Sequence, residues 1–346
     1  MRAAGGTFVA AMGMQTSGLA VGAAVRSEDG IALRPSTPAD AATLSRLIDD
    51  NYGSDDARIS SLRDINRALH LSSDGGKQWH STLVAESADR VVGVASGLQS
   101  PMHPAARVHV IVDAKLRRRG FGTRLYAGIV EEARAQGLQP IATIIGTEQV
   151  AWLFAVACGM RPLMHARQIR IDPRSGPLEL WCRHALSSGG DFRLLSGTQV
   201  APAVLYSALA AAYYEMHRRW IETIQPNSEQ ASDLWKRKIP ATQATIAMQG
   251  DEVIGAAALI NPGEGRATLF PASACKPVAD VSSERRLVAA LLADRLIAAR
   301  AAGIAEVLIE SDEDDGRMLE VLGAIPAFGL IEIFTLTSAE TGHWPR

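Results

Sequence analysis

Apolar residues recur along this chain in two rhythms: a period of two over short runs and a period near 3.6 over longer ones, the marks of strands and amphipathic helices. Ile31–Arg34 reads as a short strand, and Thr37-Pro38-Ala39-Asp40 then opens a helix with Leu44, Leu47 and Ile48 on one face. Thr37 suits the N-cap, Pro38 the first helical position and Asp40 the first turn. A second helix is expected over Ile59–Leu71. Ser81–Glu86 and Arg90–Leu98, divided at Ala88-Asp89, read as a hairpin. Val108–Val112 is a strand, Gly122–Gln136 a strongly patterned helix and Pro140–Ile145 another strand. Gln149–Cys158 is a helix closed by Gly159, and His165–Ile171 a last strand.

The second half repeats this order. Thr245–Gly255 echoes Thr82–Gly93, and Leu287–Gly303 echoes Leu125–Gly137, each of the latter a helix ended by glycine. Glu306–Glu310 echoes Pro140–Ile145, Met318–Gly323 echoes Phe154–Gly159, and Phe328–Leu336 closes with an alternating strand. The offsets lie between about 162 and 166 residues, which points to duplication of a whole domain. The Pro-, Ser- and Gly-rich stretch Asp172–Asp191 reads as the joint between the copies. The expected organisation is an extension over 1–27, a first domain over 28–172, a linker over 173–190 and a second domain over 191–340.

Length and composition agree with this picture: 346 residues suit two domains of ordinary size. A net charge of -2 argues against a nucleic-acid surface spread over the protein, and no apolar run long enough for a membrane span follows the N-terminus. Cys158, Cys182 and Cys275 are far apart and form no Cys-x-x-Cys pair, so neither a metal site nor a disulfide framework is indicated. A reducing cytoplasm is the expected compartment, and a monomer or homodimer the expected state. Thr7–Val25 loosely imitates an export signal, but Gln15, Thr16, Ser17 and several glycines interrupt its apolar centre, so a disordered extension is expected there.

The stretch that carries chemistry is Val108–Leu125. A strand runs into a basic turn, Arg117-Arg118-Arg119-Gly120-Phe121-Gly122, and the turn runs straight into a helix. The first amides of a helix lack internal partners and sit at the positive end of its dipole. Glycines beside them allow close approach of a diphosphate, and Arg117, Arg118, Arg119 and Arg124 add positive charge. No Gly-Lys-Ser/Thr is present, so a Walker loop is excluded, and a Rossmann fingerprint fails for want of a glycine before Gly120. The same residues also fit a solvated basic turn.

Arg117-x-x-Gly120-x-Gly122 resembles the signature of the GNAT acetyltransferase superfamily, Arg/Gln-x-x-Gly-x-Gly/Ala, between a strand and a helix. A Gly159-Met160 step stands where the family has Gly-Phe, and the likeness is good over Gly30–Ile171 and fainter over Phe192–Leu336. The resemblance implies an α/β (α+β) fold of two tandem GNAT domains, each a mixed, mostly antiparallel sheet flanked by helices. It implies acetyl-CoA or another acyl-CoA as donor, an amine of a small metabolite as acceptor, and no metal. By it, the amides of Arg118, Arg119, Gly120, Phe121, Gly122 and Thr123 bind the coenzyme A diphosphate. The strand edge at Val110, Ile111 and Val112 pairs with the pantetheine arm and polarises the thioester. The asymmetry between the halves resembles tandem members of bacterial specialised metabolism.

Two departures accompany the likeness. The tyrosine with which the family often protonates the departing thiolate falls on Ala155, and on Leu319 in the second half. The stretch aligned with the donor loop, Ala279–Arg286, contains no glycine, and Ser282 or Ser283 is expected to cap the helix there. For a general base, His109 on the strand and Glu215 and His217 on a later helix are candidates. For His109 the alternative is a buried, hydrogen-bonded histidine. For the helix bearing Tyr213, His217 and Trp220 it is an aromatic core face. Glu86 and His103 are further candidates of the same kind. Ser311–Gly316 is acidic but lacks the ligand spacing of a calcium loop, and reads as a solvated helix start.

Overall fold

A computed structural model of the chain describes residues 25–26, 31–52, 79–146, 148–188, 190–218, 229–263, 265–276, 280–312 and 315–337. The helix expected over Ile59–Leu71 lies outside them, as does nearly all of the N-terminal extension. The strands are β1 (Val25–Arg26), β2 (Ala32–Pro35), β3 (His80–Ser87), β4 (Arg90–Gln99), β5 (Ala105–Val112), β6 (Gln139–Ile145), β7 (Arg161–Ile171), β8 (Arg193–Ser196), β9 (Ala244–Gln249), β10 (Glu252–Gly263), β11 (Arg266–Ala274), β12 (Glu306–Asp312) and β13 (Gly329–Thr337). They form a single open sheet in the order β1-β2-β3-β4-β5-β6-β13-β7-β12-β11-β10-β9-β8. Among the described residues only the β5–β6 and β11–β12 pairs are parallel.

This order refines the expectation of two separate sheets. The last strand of each half has crossed into the other, so β13 lies between β6 and β7, and β7 lies between β13 and β12. Phe334 pairs with Ile144 on one side and His165 on the other. Apart from β1, which has no counterpart, the sheet therefore reads the same from either end about a centre between β13 and β7.

The helices are α1 (Ala41–Tyr52), α2 (Phe121–Ala135), α3 (Gln149–Ala157), α4 (Gly176–Ser187), α5 (Pro202–His217), α6 (Glu229–Lys238), α7 (Val281–Ala301) and α8 (Gly316–Gly323). In α2, Phe121, Leu125, Ile129 and Ala133 fall at every fourth position and are buried with Tyr126 and Val130, the stripe that docks an amphipathic helix. They pack on Leu83, Ala95, Val108 and Ile144. α1 covers the opposite face through Leu44, Leu47 and Ile48 on Val84, Val94 and Ile111. α5 and α6 pack on β9–β11 through Leu205, Leu209, Trp235 and Ile246, while α7 and α8 lie over β10–β12 with Leu291, Leu296 and Met318 buried. No helix of the described residues is long and apolar enough to cross a membrane.

Two stretches differ from the sequence expectation. Residues 173–190, read as a linker, contain α4, whose Leu178, Cys182 and Ala185 are buried in the core beneath α7. Pro177 in the first turn suits a helix start, and the i, i+4, i+7 spacing of the buried residues supplies its docking face. Val25-Arg26, placed in the extension, pair with Leu33 and Ala32.

Candidate functional site

β5 and β6 share only three pairs: Ala105 with Gln139, Ala106 with Pro140 and Arg107 with Ile141. Beyond them β5 stays on β4 as far as the Val112–Gly93 pair, whereas β6 follows β13. The two strands part, and among the described residues no strand lies beside the edge of Val110–Val112 that faces β6. Such an edge pairs readily with an extended ligand. These are the residues expected to meet the pantetheine arm.

The turn after β5 brings a helix terminus to the mouth of this cleft. The Asp113 carboxylate accepts the Lys115 amide at 2.9 Å and receives Arg90 at 3.4 Å, which fixes the start of the turn. Arg118 then takes a left-handed φ of 66° and Gly120 one of 85°, and a non-glycine residue so placed carries strain of the kind found at ligand sites. Gly120 is the N-cap of α2 and offers no side-chain cap. The first bond of the helix runs from the Arg124 amide to the Gly120 carbonyl at 3.1 Å, so the helix leaves the amides of Phe121, Gly122 and Thr123 open for an anion.

The two glycines serve different needs. Gly120 provides the left-handed turn, while a Cβ on Gly122 would lie 3.0 Å from the Phe154 ring, so its absence lets α3 close against α2. Arg118 and Arg119 are exposed beside the open amides. Arg117 is engaged elsewhere: its Nε donates to the Val112 carbonyl at 3.3 Å and its terminal nitrogen bonds Asn51 of α1.

Ala155 is buried in the core, with Phe154 edge-on to Tyr126 at 6.2 Å. Burial pushes the Cys158 thiol up to about 11, which leaves it protonated and a poor nucleophile. His109 follows Val108, which packs under α2, and precedes Ile111, which packs under α1. The alternation of the strand places it on the α1 face.

The second half builds the same wedge and closes it. β11 pairs β12 from Arg266–Glu306 to Leu269–Ile309, then parts from it. The connection to α7 is residues 275–280, shorter than residues 113–120 of the first half. Its N-cap is Asp280, whose carboxylate accepts the Ser282 and Ser283 amides at 3.2 and 2.9 Å and the Ser283 hydroxyl at 2.7 Å. The serines thus donate to a cap rather than serving as caps. The Ser283 hydroxyl and these amides hold Asp280 below the usual carboxylate range, so a negative charge already occupies the place an anion would take. Arg286 bonds the Ser283 hydroxyl at 2.9 Å, and Arg285 pairs with Glu320.

The face of this second wedge that corresponds to that of His109 is also filled. Four residues past the first parallel pair, where β5 has His109, β11 has Phe270. Tyr213 and His217 pack against the Phe270 ring with centroids 5.5 Å away. From the first half, the β4–β5 turn inserts Met102 into the α5–α6 core. His103 Nε2 lies 2.6 Å from the Tyr213 hydroxyl. His217 is stacked on Tyr213 at 4.1 Å, and burial holds its pKa down to about 3. Glu215 pairs with Arg218 at 2.8 Å. Both base candidates on α5 therefore lie in the second half, one in an aromatic core and one in a surface pair. Glu86 is bonded to Arg34 at 2.6 and 2.9 Å. Asp315 caps α8 through the Met318 amide at 3.0 Å, while residues 313–314 lie outside the described ones.

Residues 47–160 match the acetyltransferase (GNAT) family. Among curated protein sequences none matches the chain. A GCN5-related N-acetyltransferase from Sphaerobacter thermophilus is 18% identical with a TM-score of 0.63, over 90% of this chain and 96% of that one. A tandem GNAT protein from the clavulanic acid biosynthesis pathway is 17% identical with a TM-score of 0.58, over 90% of this chain and 99% of that one. These likenesses span both halves and concern the fold. The family match falls on the first wedge and its loop, so this part of the first half is similar to a GNAT acetyltransferase domain.

Proposed function

We propose that this GNAT domain binds acetyl-CoA or another acyl-CoA and transfers the acyl group to an amine of a small metabolite. The observation that carries this reading is the N-terminus of α2, without a side-chain cap, set beside the edge of Val110–Val112 that no described strand pairs. The Arg118–Thr123 amides take the diphosphate, helped by the charge of Arg118, Arg119 and Arg124. The strand edge takes the pantetheine arm and directs an amide at the thioester carbonyl, stabilising the charge that grows on its oxygen.

A neutral amine then attacks that carbonyl in a ternary complex. The new N–C bond forms as the C–S bond breaks; the nitrogen loses a proton, and the coenzyme A thiolate departs and is protonated. Cys158, Cys182 and Cys275, each pushed by burial to about 11 or 12, are poor nucleophiles, which favours direct attack over a covalent acyl-enzyme. With Ala155 in place of an acid, water is the proton donor that this reading uses. His109, on the face from which the amine enters, is the candidate base.

The second half serves as a partner without a donor of its own, because Asp280 occupies its helix terminus. The chain acts in the cytoplasm, and the tandem relative from clavulanic acid biosynthesis fits a place in bacterial specialised metabolism. The test is thiol release from acetyl-CoA in the presence of a panel of small amines. Release above hydrolysis supports transfer. Bound donor without release supports instead a purely structural or sensory role for the acyl-CoA, a reading that the buried Ala155 favours.

A further inference from the structure

The first arginine of the motif is placed by its position in the sequence to meet a phosphate, yet its guanidinium is held by the end of β5 and by α1. Arg117 Nε donates to the last carbonyl of β5, Val112 O, at 3.3 Å. Its terminal nitrogen donates to Asn51 Oδ1, and Asn51 in turn donates to the Leu47 carbonyl at 2.7 Å. The contact falls on the C-terminal turn of α1, whose own last residues include Asp49 and Asp50 and no basic side chain. Exposed carbonyls and acidic side chains at a helix C-terminus both favour a nearby cation. Arg117 supplies one from outside the helix, and the donor loop begins with the next residue.

We propose that Arg117 is a positioning residue, which couples the donor loop to the C-terminal turn of α1 and so to the face from which the amine enters. The proposal rests on the donor site described above. Seating a donor on the Arg118–Thr123 amides orders the loop, and the Arg117–Asn51 link passes that order to α1. The guanidinium contributes to α1 rather than to the donor.

The test uses the whole chain and acetyl-CoA, with affinity from calorimetry and order from amide hydrogen exchange. In the wild type, acetyl-CoA is expected to slow exchange over residues 47–52. In Arg117→Ala and in Asn51→Ala this protection is lost, while acetyl-CoA affinity changes by less than about threefold, as suits an exposed contact. Arg117→Gln, which keeps a donor for Asn51, keeps part of the protection. A tenfold or greater loss of acetyl-CoA affinity in Arg117→Ala, with Asn51→Ala unchanged in both readouts, makes Arg117 a phosphate ligand and overturns the proposal. Tight binding with no protection over residues 47–52 in the wild type overturns it equally, and leaves the donor site standing. Absence of acetyl-CoA binding removes both.

Discussion

His165 of β7 lies flat against Phe334 of β13, with ring centroids 4.1 Å apart and planes 6° from parallel. One ring belongs to the first half and the other to the second, and each strand is paired on both sides by strands of the other half. The halves share their central strands, so neither can unfold and leave the other's sheet intact. Thermal unfolding is expected to show one transition by circular dichroism and by tryptophan fluorescence. Phe334→Ala, which removes a half-buried ring, is expected to lower stability by about 2–3 kcal/mol while the two probes still coincide.

Ala88 and Asp89 turn the β3–β4 hairpin with φ values of 50° and 59°. Two left-handed residues are what a tight hairpin requires, but alanine takes that conformation at a cost. Ala88→Gly is expected to raise stability by about 0.5–1 kcal/mol, the relief of strain less the extra freedom of the unfolded glycine. Urea denaturation measures the gain, which should appear in the midpoint and not in the slope.

His217 is buried neutral, with its pKa depressed to about 3 by desolvation. The unfolded chain therefore binds a proton that the folded chain refuses. The contribution of this residue is full above the ordinary histidine pKa and is lost as pH falls from about 6.5 towards 3, with a limiting slope of about 1.4 kcal/mol per pH unit. Urea titrations at pH 7, 6 and 5 are expected to show a smaller fall in His217→Phe, which keeps a ring for Tyr213 and Phe270. An equal fall in both proteins contradicts the assignment.

Gly120 takes a φ of 85° with nothing within 4 Å of a built Cβ. Gly120→Ala therefore strains the backbone without a clash and is expected to cost about 1 kcal/mol of stability. Because the same residue sets the direction of the open amides, acetyl-CoA affinity should fall together with stability. Gly250→Ala, strained alike at a φ of 60° in the β9–β10 turn, should lose stability and leave acetyl-CoA affinity alone. Calorimetry on both variants separates the two effects.

The strand–turn–helix layout of Val108–Leu125 is legible because its signals are local: a strand, a basic turn and two glycines before a helix. What escaped was set by contacts distant in sequence. Period-two alternation in β7 and β13 is the same whichever strands stand beside them, so the exchange at the sheet centre left no mark in the pattern. α4 was hidden by Pro173, Pro177 and Gly190 around it, although Leu178, Cys182 and Ala185 carried its spacing. Asp280 stands just before two serines that are themselves good capping residues, and only the contacts show which side chain accepts the amides. The link from His103 to Tyr213 spans 110 positions, which no reading of neighbours reaches. The motif points Arg117 at a phosphate, whereas its side chain is held by Asn51, a residue 66 positions earlier.

The central claim is one donor site, in the first half, with the second closed by its own carboxylate cap. Native mass spectrometry of the full chain with excess acetyl-CoA tests it most directly. One bound copy is predicted, lost in Gly122→Glu, which sets a carboxylate among the open amides, and retained in Asp280→Ala. Two copies in the wild type, or one copy that survives Gly122→Glu and vanishes in a second-half variant, contradicts the account.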